Sequence, residues 1–246
     1  MGRKRRHLLA LTEQWNLFRN DSEVQIMRKR TLGLFHTSAT LVPMFEELRK
    51  KHIPDVDTFN IVDDSLIKDV IRNGKLRPET ARRVVEHVGS AAAAGADYIL
   101  VTCSSIGRAV EAAANLTSVP VLRVDQPMAD EAVRIGRRIG VIATLPTTLE
   151  PTADLVTRRA ANAGKEIELT SRLCEGAFEA LMGGDPAKHD SLVTARLKEL
   201  AGEVDVILLA QASMARVVDG LASEDKTVPI LASPPLAMSY IASVLG

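Results

Sequence analysis

A strand-like run that ends in a small polar turn occurs twice in this chain, 108 residues apart, and this repeat limits the fold more than any other feature. The first copy reads Asp97-Tyr98-Ile99-Leu100-Val101-Thr102-Cys103-Ser104-Ser105-Ile106-Gly107-Arg108-Ala109-Val110. The second, aligned without gaps, reads Asp205-Val206-Ile207-Leu208-Leu209-Ala210-Gln211-Ala212-Ser213-Met214-Ala215-Arg216-Val217-Val218. The apolar residues are continuous rather than alternating, as in a strand covered on both faces. The serines that follow can accept from free backbone N–H groups at a helix start. The echo extends outward. Leu32-Gly33-Leu34-Phe35-His36-Thr37 returns 107 residues later as Ile139-Gly140-Val141-Ile142-Ala143-Thr144, and Val119-Pro120-Val121-Leu122 returns 109 residues later as Val228-Pro229-Ile230-Leu231. A period this long does not belong to a solenoid. It predicts an α/β protein of two similar Rossmann-like lobes with parallel sheets, related by a pseudo-twofold axis, with the strand ends of both around one cleft.

The rest of the chain fills in around these runs. Further strands are expected at 56–62 and 166–169, and helices at 41–51, 77–94, 150–162, 189–200 and 235–245. Hydroxyl-rich loops follow the first strand of each round, at 37–40 and 145–148. Asp63 and Asp64 are expected to cap the helix after them rather than to bind metal. Residues 1–26, which include the basic run Arg3-Lys4-Arg5-Arg6, are read as a solvated, flexible extension. Residues 27–125 with 235–246 are assigned to the first lobe and 126–234 to the second.

Composition excludes several classes. With 31 basic and 31 acidic side chains, the zero net charge gives no support for a nucleic-acid partner. No run approaches the ~20 apolar residues that cross a bilayer, so no membrane role is expected. Two cysteines are too few for a disulfide scaffold and suit a reducing, cytoplasmic compartment. The five histidines have no ligand spacing, so no metal is expected. No glycine motif for cradling phosphate is present, and no cofactor is expected.

Cys103 stands where the strand ends, with a helix N-terminus behind it, a setting that favours a thiolate and an anionic ligand. A thiol there can take or give a proton at carbon, provided that N–H and hydroxyl donors stabilise the enolate-like charge. Two thiols on opposite faces would invert the centre. In the second copy, however, Gln211 holds the equivalent place, and an amide cannot titrate. Thr37, Ser38, Ser104, Ser105, Thr144, Thr147, Gln211 and Ser213 are the candidate substrate donors. Cys174 is read as inert, and His36 as a hydrogen-bonded, partly buried histidine.

Gly33-Leu34-Phe35-His36-Thr37, Thr102-Cys103-Ser104-Ser105, Gly140-Val141-Ile142-Ala143-Thr144-Leu145-Pro146-Thr147 and the turn around Gln211 carry a family likeness. Over essentially residues 30–246 the chain resembles the aspartate/glutamate/hydantoin racemase superfamily, which also holds arylmalonate decarboxylase and maleate isomerase. The resemblance implies cofactor-independent chemistry at a carbon next to a carboxylate or carbonyl. It implies that Cys103 matches the first-lobe catalytic cysteine. It also implies that Thr37, Ser38, Ser104, Ser105, Thr144 and Thr147 match positions holding a substrate carboxylate, and it suggests a homodimer. In two-cysteine members the second turn ends in Cys-Thr or Cys-Gly, whereas here it reads Leu209-Ala210-Gln211-Ala212-Ser213. Three functions stay open at this point: a racemase or isomerase using Cys103, a decarboxylase with protonation by Cys103, and a non-catalytic protein that binds a small carboxylate.

Overall fold

A computed structural model of the chain describes residues 29–246. The expected extension at 1–26 lies outside the described residues.

Two four-stranded parallel sheets account for the repeat. β1 (Thr31–His36), β2 (Asp57–Val62), β3 (Tyr98–Val101) and β4 (Val121–Arg123) form one, in the order β2-β1-β3-β4. β5 (Arg138–Ala143), β6 (Glu168–Leu173), β7 (Val206–Leu209) and β8 (Ile230–Ala232) form the other, in the order β6-β5-β7-β8. Equivalent strands take equivalent places, and the register agrees as well: Gly33 stands beside Ile99, and Gly140 beside Ile207.

The residues shared by the two copies have shared jobs. Asp97 Oδ2 accepts the Thr31 N–H at 2.7 Å, and Asp205 Oδ2 accepts those of Arg137 and Arg138 at 3.0 and 2.9 Å. Each carboxylate therefore ties the start of a central strand to its neighbour. The repeated glycine marks close packing. A Cβ on Gly33 would lie 3.1 Å from Phe59 Cζ, and one on Gly140 only 2.6 Å from Leu200 Cδ2.

Helices cover both faces of both sheets, which is why the strands read as unbroken apolar runs. They are α1 (Val42–His52), α2 (Asp64–Asn73), α3 (Pro78–Ala93), α4 (Gly107–Ala114), α5 (Gln126–Ile135), α6 (Pro146–Asn162), α7 (Ala177–Met182), α8 (Pro186–Ala201), α9 (Ala215–Asp219) and α10 (Ser233–Leu245). In the first sheet Leu32 and Leu34 pack with Phe45 of α1 and Met238 and Ile241 of α10, while Phe35 packs on the other face with Leu66, Val84 and Val88. In the second, Ile139 and Val141 pack with Met128 and Leu155, and Ile142 with Val193 and Leu197. Each such fully buried side chain is worth about 1.5–3 kcal/mol of burial. The last helix thus leaves the second sheet after β8 and closes over the first.

The element boundaries differ from expectation where proline and partial exposure intervene. α5 has no counterpart in the sequence expectation, because Pro127 beside a strand end looks like a stop. It sits instead in the first helical turn, where its missing N–H costs nothing. Pro146 does the same for α6, which begins there rather than at 150 and takes Thr147 and Thr148 out of the loop. The strand expected at 166–169 is Glu168–Leu173, a half-exposed edge strand without the apolar run of a buried one. The six-residue α7 is too short to show a helical period. Among the described residues no helix is long and apolar enough to cross a membrane.

Candidate active site

Cys103 follows β3 and precedes a 3-10 turn, Ser104–Ile106, that leads into α4. Its backbone is extended, with φ −131° and ψ 115°. Gln211 follows β7 and precedes the turn Ala212–Met214, with φ −130° and ψ 137°. The thiol and the amide therefore occupy the same backbone position in the two lobes.

Both line one cavity of about 360 Å³ at the carboxyl ends of the two sheets. Thr37 and Ser38 reach it from the end of β1, Ser104 and Ser105 from the turn after Cys103, and Ser213 from the turn after Gln211. Two of the expected residues stand elsewhere. Thr144 is buried, and its N–H and hydroxyl donate to Gln211 Oε1 at 2.5 and 3.0 Å. Thr147 lines a neighbouring pocket, and its buried hydroxyl has no hydrogen-bond partner among the described residues. Thr148, which sequence reasoning missed, lines the main cavity and pairs its hydroxyl with that of Ser105 at 2.9 Å, joining the lobes.

Burial pushes the Cys103 thiol above its ordinary range. The Thr37 hydroxyl and the N–H groups of Ser105 and Ile106 pull the other way, while the Asp125 carboxylate adds to the rise. The helix-end donors are thus present as expected, but desolvation outweighs them and the resting sulfur is a thiol. Behind it Arg123 and Asp125 form a buried pair, Nη2 to Oδ2 at 2.8 Å and Nε to Oδ1 at 3.0 Å. Arg123 also meets Glu111, which binds Arg158 of α6 at 2.8 Å; Asp154 then joins Arg158 and Arg108 at 2.9 and 2.8 Å. This ion network crosses between the lobes. No motif announced it; the only signal was two charged residues, Arg123 and Asp125, closing an apolar strand.

The remaining candidates have structural roles. His36 is fully buried, with its ring nitrogens 2.9 Å from Thr102 Oγ1 and Asn60 Oδ1. Burial lowers its pKa, against the pull of Asn60. It is the satisfied histidine expected, although wholly rather than partly buried. Asp63 caps α2 through the Ser65 N–H at 3.1 Å and also meets Arg83 and His87. Cys174 is buried, and burial pushes its thiol up to about 11. Among the described residues no group of three or more His, Cys, Asp or Glu side chains is placed to hold a metal ion.

Two like-ordered parallel sheets with a shared cavity at their strand ends define a two-lobed α/β protein. Glutamate racemase from Francisella tularensis, solved with D-glutamate, superposes with a TM-score of 0.67 at 17% identity, over 88% of this chain and 81% of that one. Allantoin racemase from Klebsiella pneumoniae gives 0.65 at 16% identity, over 88% of each chain. Aspartate racemase from Picrophilus torridus gives 0.65 at 13%, over 87% and 94%. No curated protein sequence matches the chain. Residues 35–241 match the Asp/Glu/Hydantoin racemase family, and the chain belongs to it.

Proposed function

We propose that this protein is a cytoplasmic racemase-type isomerase that moves a proton at the carbon next to the carboxylate or carbonyl of a small molecule, with Cys103 as the acid and base. The observation that carries this reading is the Cys103 sulfur in an interlobe cavity, faced by the Thr37 hydroxyl and the Ser105 and Ile106 N–H groups. Family membership supports racemase chemistry over decarboxylation. Both cysteines are free, as in a reducing compartment.

In the forward step the resting thiol first gives its proton to solvent; the C–H bond then breaks, its proton goes to Sγ of the thiolate so formed, and the electron pair moves into the adjacent carbonyl. Donors at the strand ends receive the enolate charge. With Gln211 Oε1 occupied by Thr144, Nε2 is the part of the amide left to donate to that anion. A proton returned from Sγ restores the original hand. Inversion needs a proton on the other face, and as the Gln211 amide does not titrate, a solvent water entering the cavity supplies it, and the hydroxide left behind takes the proton from Sγ.

Incubation of chiral α-substituted acids in deuterated water tests this. Loss of the α-proton signal together with optical rotation, abolished in Cys103→Ala, is the expected result. Release of carbon dioxide would assign the lyase instead. Binding unchanged by Cys103→Ala, with no exchange in any acid, would leave a binding protein.

A further inference from the structure

We infer that the acid held in this cavity carries an apolar substituent on its reacting carbon rather than a second carboxylate. The inference rests on the racemase-type reading above and names the substrate class for the same site.

The cavity lining has two characters. Hydroxyls and the thiol gather at the strand ends. Much of the rest is apolar: Leu41, Ile67 and Ile71 from the first lobe, and Leu145, Phe178 and Met182 from the second. α2 and α7 follow equivalent strands, β2 and β6, so the side chains of Ile67, Ile71, Phe178 and Met182 come from equivalent places in the two lobes. Ile71 and Met182 are 36% and 71% exposed while lining the cavity, which puts them at its mouth. Large apolar side chains left in solvent beside an open cleft mark a surface that gains by being covered.

Charge points the same way. Among the described residues lining the cavity, Asp64 and Lys68 are the charged ones, and they pair with each other one turn apart on α2. That leaves no uncommitted cation to meet a second carboxylate, and a carboxylate set against the apolar wall would lose hydration without a partner. A phenyl or branched alkyl group in the same place would cover Met182 and Ile71. The polar half of the lining suffices for one carboxylate or carbonyl and its enolate.

The test compares phenylglycine and mandelate with aspartate and malate. α-Proton exchange in deuterated water is read by NMR, and binding is read separately by saturation transfer. Wild-type protein should favour the phenyl acids by about tenfold or more in kcat/KM, the scale at which pockets sort side chains by contact. Met182→Lys and Ile71→Lys, both at exposed positions and checked for folding by circular dichroism, should move that ratio about tenfold toward the dicarboxylates. A preference for aspartate or malate in the wild type would overturn the inference and leave the proton transfer standing. Binding of the phenyl acids without exchange would overturn the proton transfer and leave the substrate class standing. Binding of none of the four, or a ratio unmoved by both lysine variants, would overturn the inference.

Discussion

Gln211 Oε1 accepts the Thr144 N–H at 2.5 Å and the Thr144 hydroxyl at 3.0 Å, so the end of β7 is tied to the end of β5 by the residue that holds in the second lobe the place of Cys103 in the first. Gln211→Glu keeps both acceptor contacts, loses the Nε2 donor and adds a negative charge. Affinity for a carboxylate ligand should fall by about 10–100-fold, as expected when like charges are set together. Gln211→Ala leaves the Thr144 N–H without its acceptor and should cost about 1–3 kcal/mol in urea unfolding.

Arg123 is buried, and its guanidinium lies so close to Gly107 that a Cβ there would fall 2.2 Å from Cζ. Arg123→Met strands Asp125 and should destabilise by about 3–5 kcal/mol. The exposed end of the same network is worth far less. Arg108→Ala, at a side chain 69% exposed, should change stability by under about 1 kcal/mol. Equal losses in chemical denaturation would refute the distinction.

The Cys103 thiol, raised by burial, is neutral in the folded site at physiological pH. Alkylation by iodoacetamide follows the thiolate fraction, so labelling at Cys103 should be slow at neutral pH. It should rise only above the ordinary thiol range near 8.5. Thr37→Val removes a hydroxyl that favours the thiolate and should move the labelling profile further toward alkali. A profile centred below that range would contradict the burial account.

Packing around the two repeated glycines differs in tightness. Gly140→Ala drives a Cβ to 2.6 Å from Leu200 Cδ2 and should cost about 1–3 kcal/mol. Gly33→Ala meets Phe59 Cζ at 3.1 Å and should cost less. Thermal melts of the two variants give the order directly.

The carboxyl of Asp205 is held down to about 2 by the N–H groups of Arg138 and Arg137, then by the Arg138 side chain. Its folded value lies below its unfolded one, so its contribution is full above the unfolded value and is lost as pH falls toward about 2. Asp205→Asn should flatten that part of the acid limb in a pH series of unfolding midpoints.

The repeat made the architecture legible because it records the same physical demands twice. Asp97 and Asp205 satisfy strand-start N–H groups, Gly33 and Gly140 admit neighbouring side chains, and the apolar runs are covered from both sides. Cys103, Ser105, Gln211 and Ser213 could be placed at strand ends for the same reason. The helix at Gln126–Ile135 was not legible, since it opens on a proline.

From the order of residues alone follow the two lobes, the thiol at one strand end and the amide at its counterpart. Each of these is fixed by local pattern and by spacing along the chain. Only the tertiary structure decided that Thr144 serves Gln211, that Thr147 lies outside the Cys103 cavity, and that Arg123 and Asp125 stand behind the sulfur. Those facts depend on contacts between segments distant in sequence. So does the state of the thiol: a helix end favours the charged form, but the surrounding layers remove the water that would stabilise it.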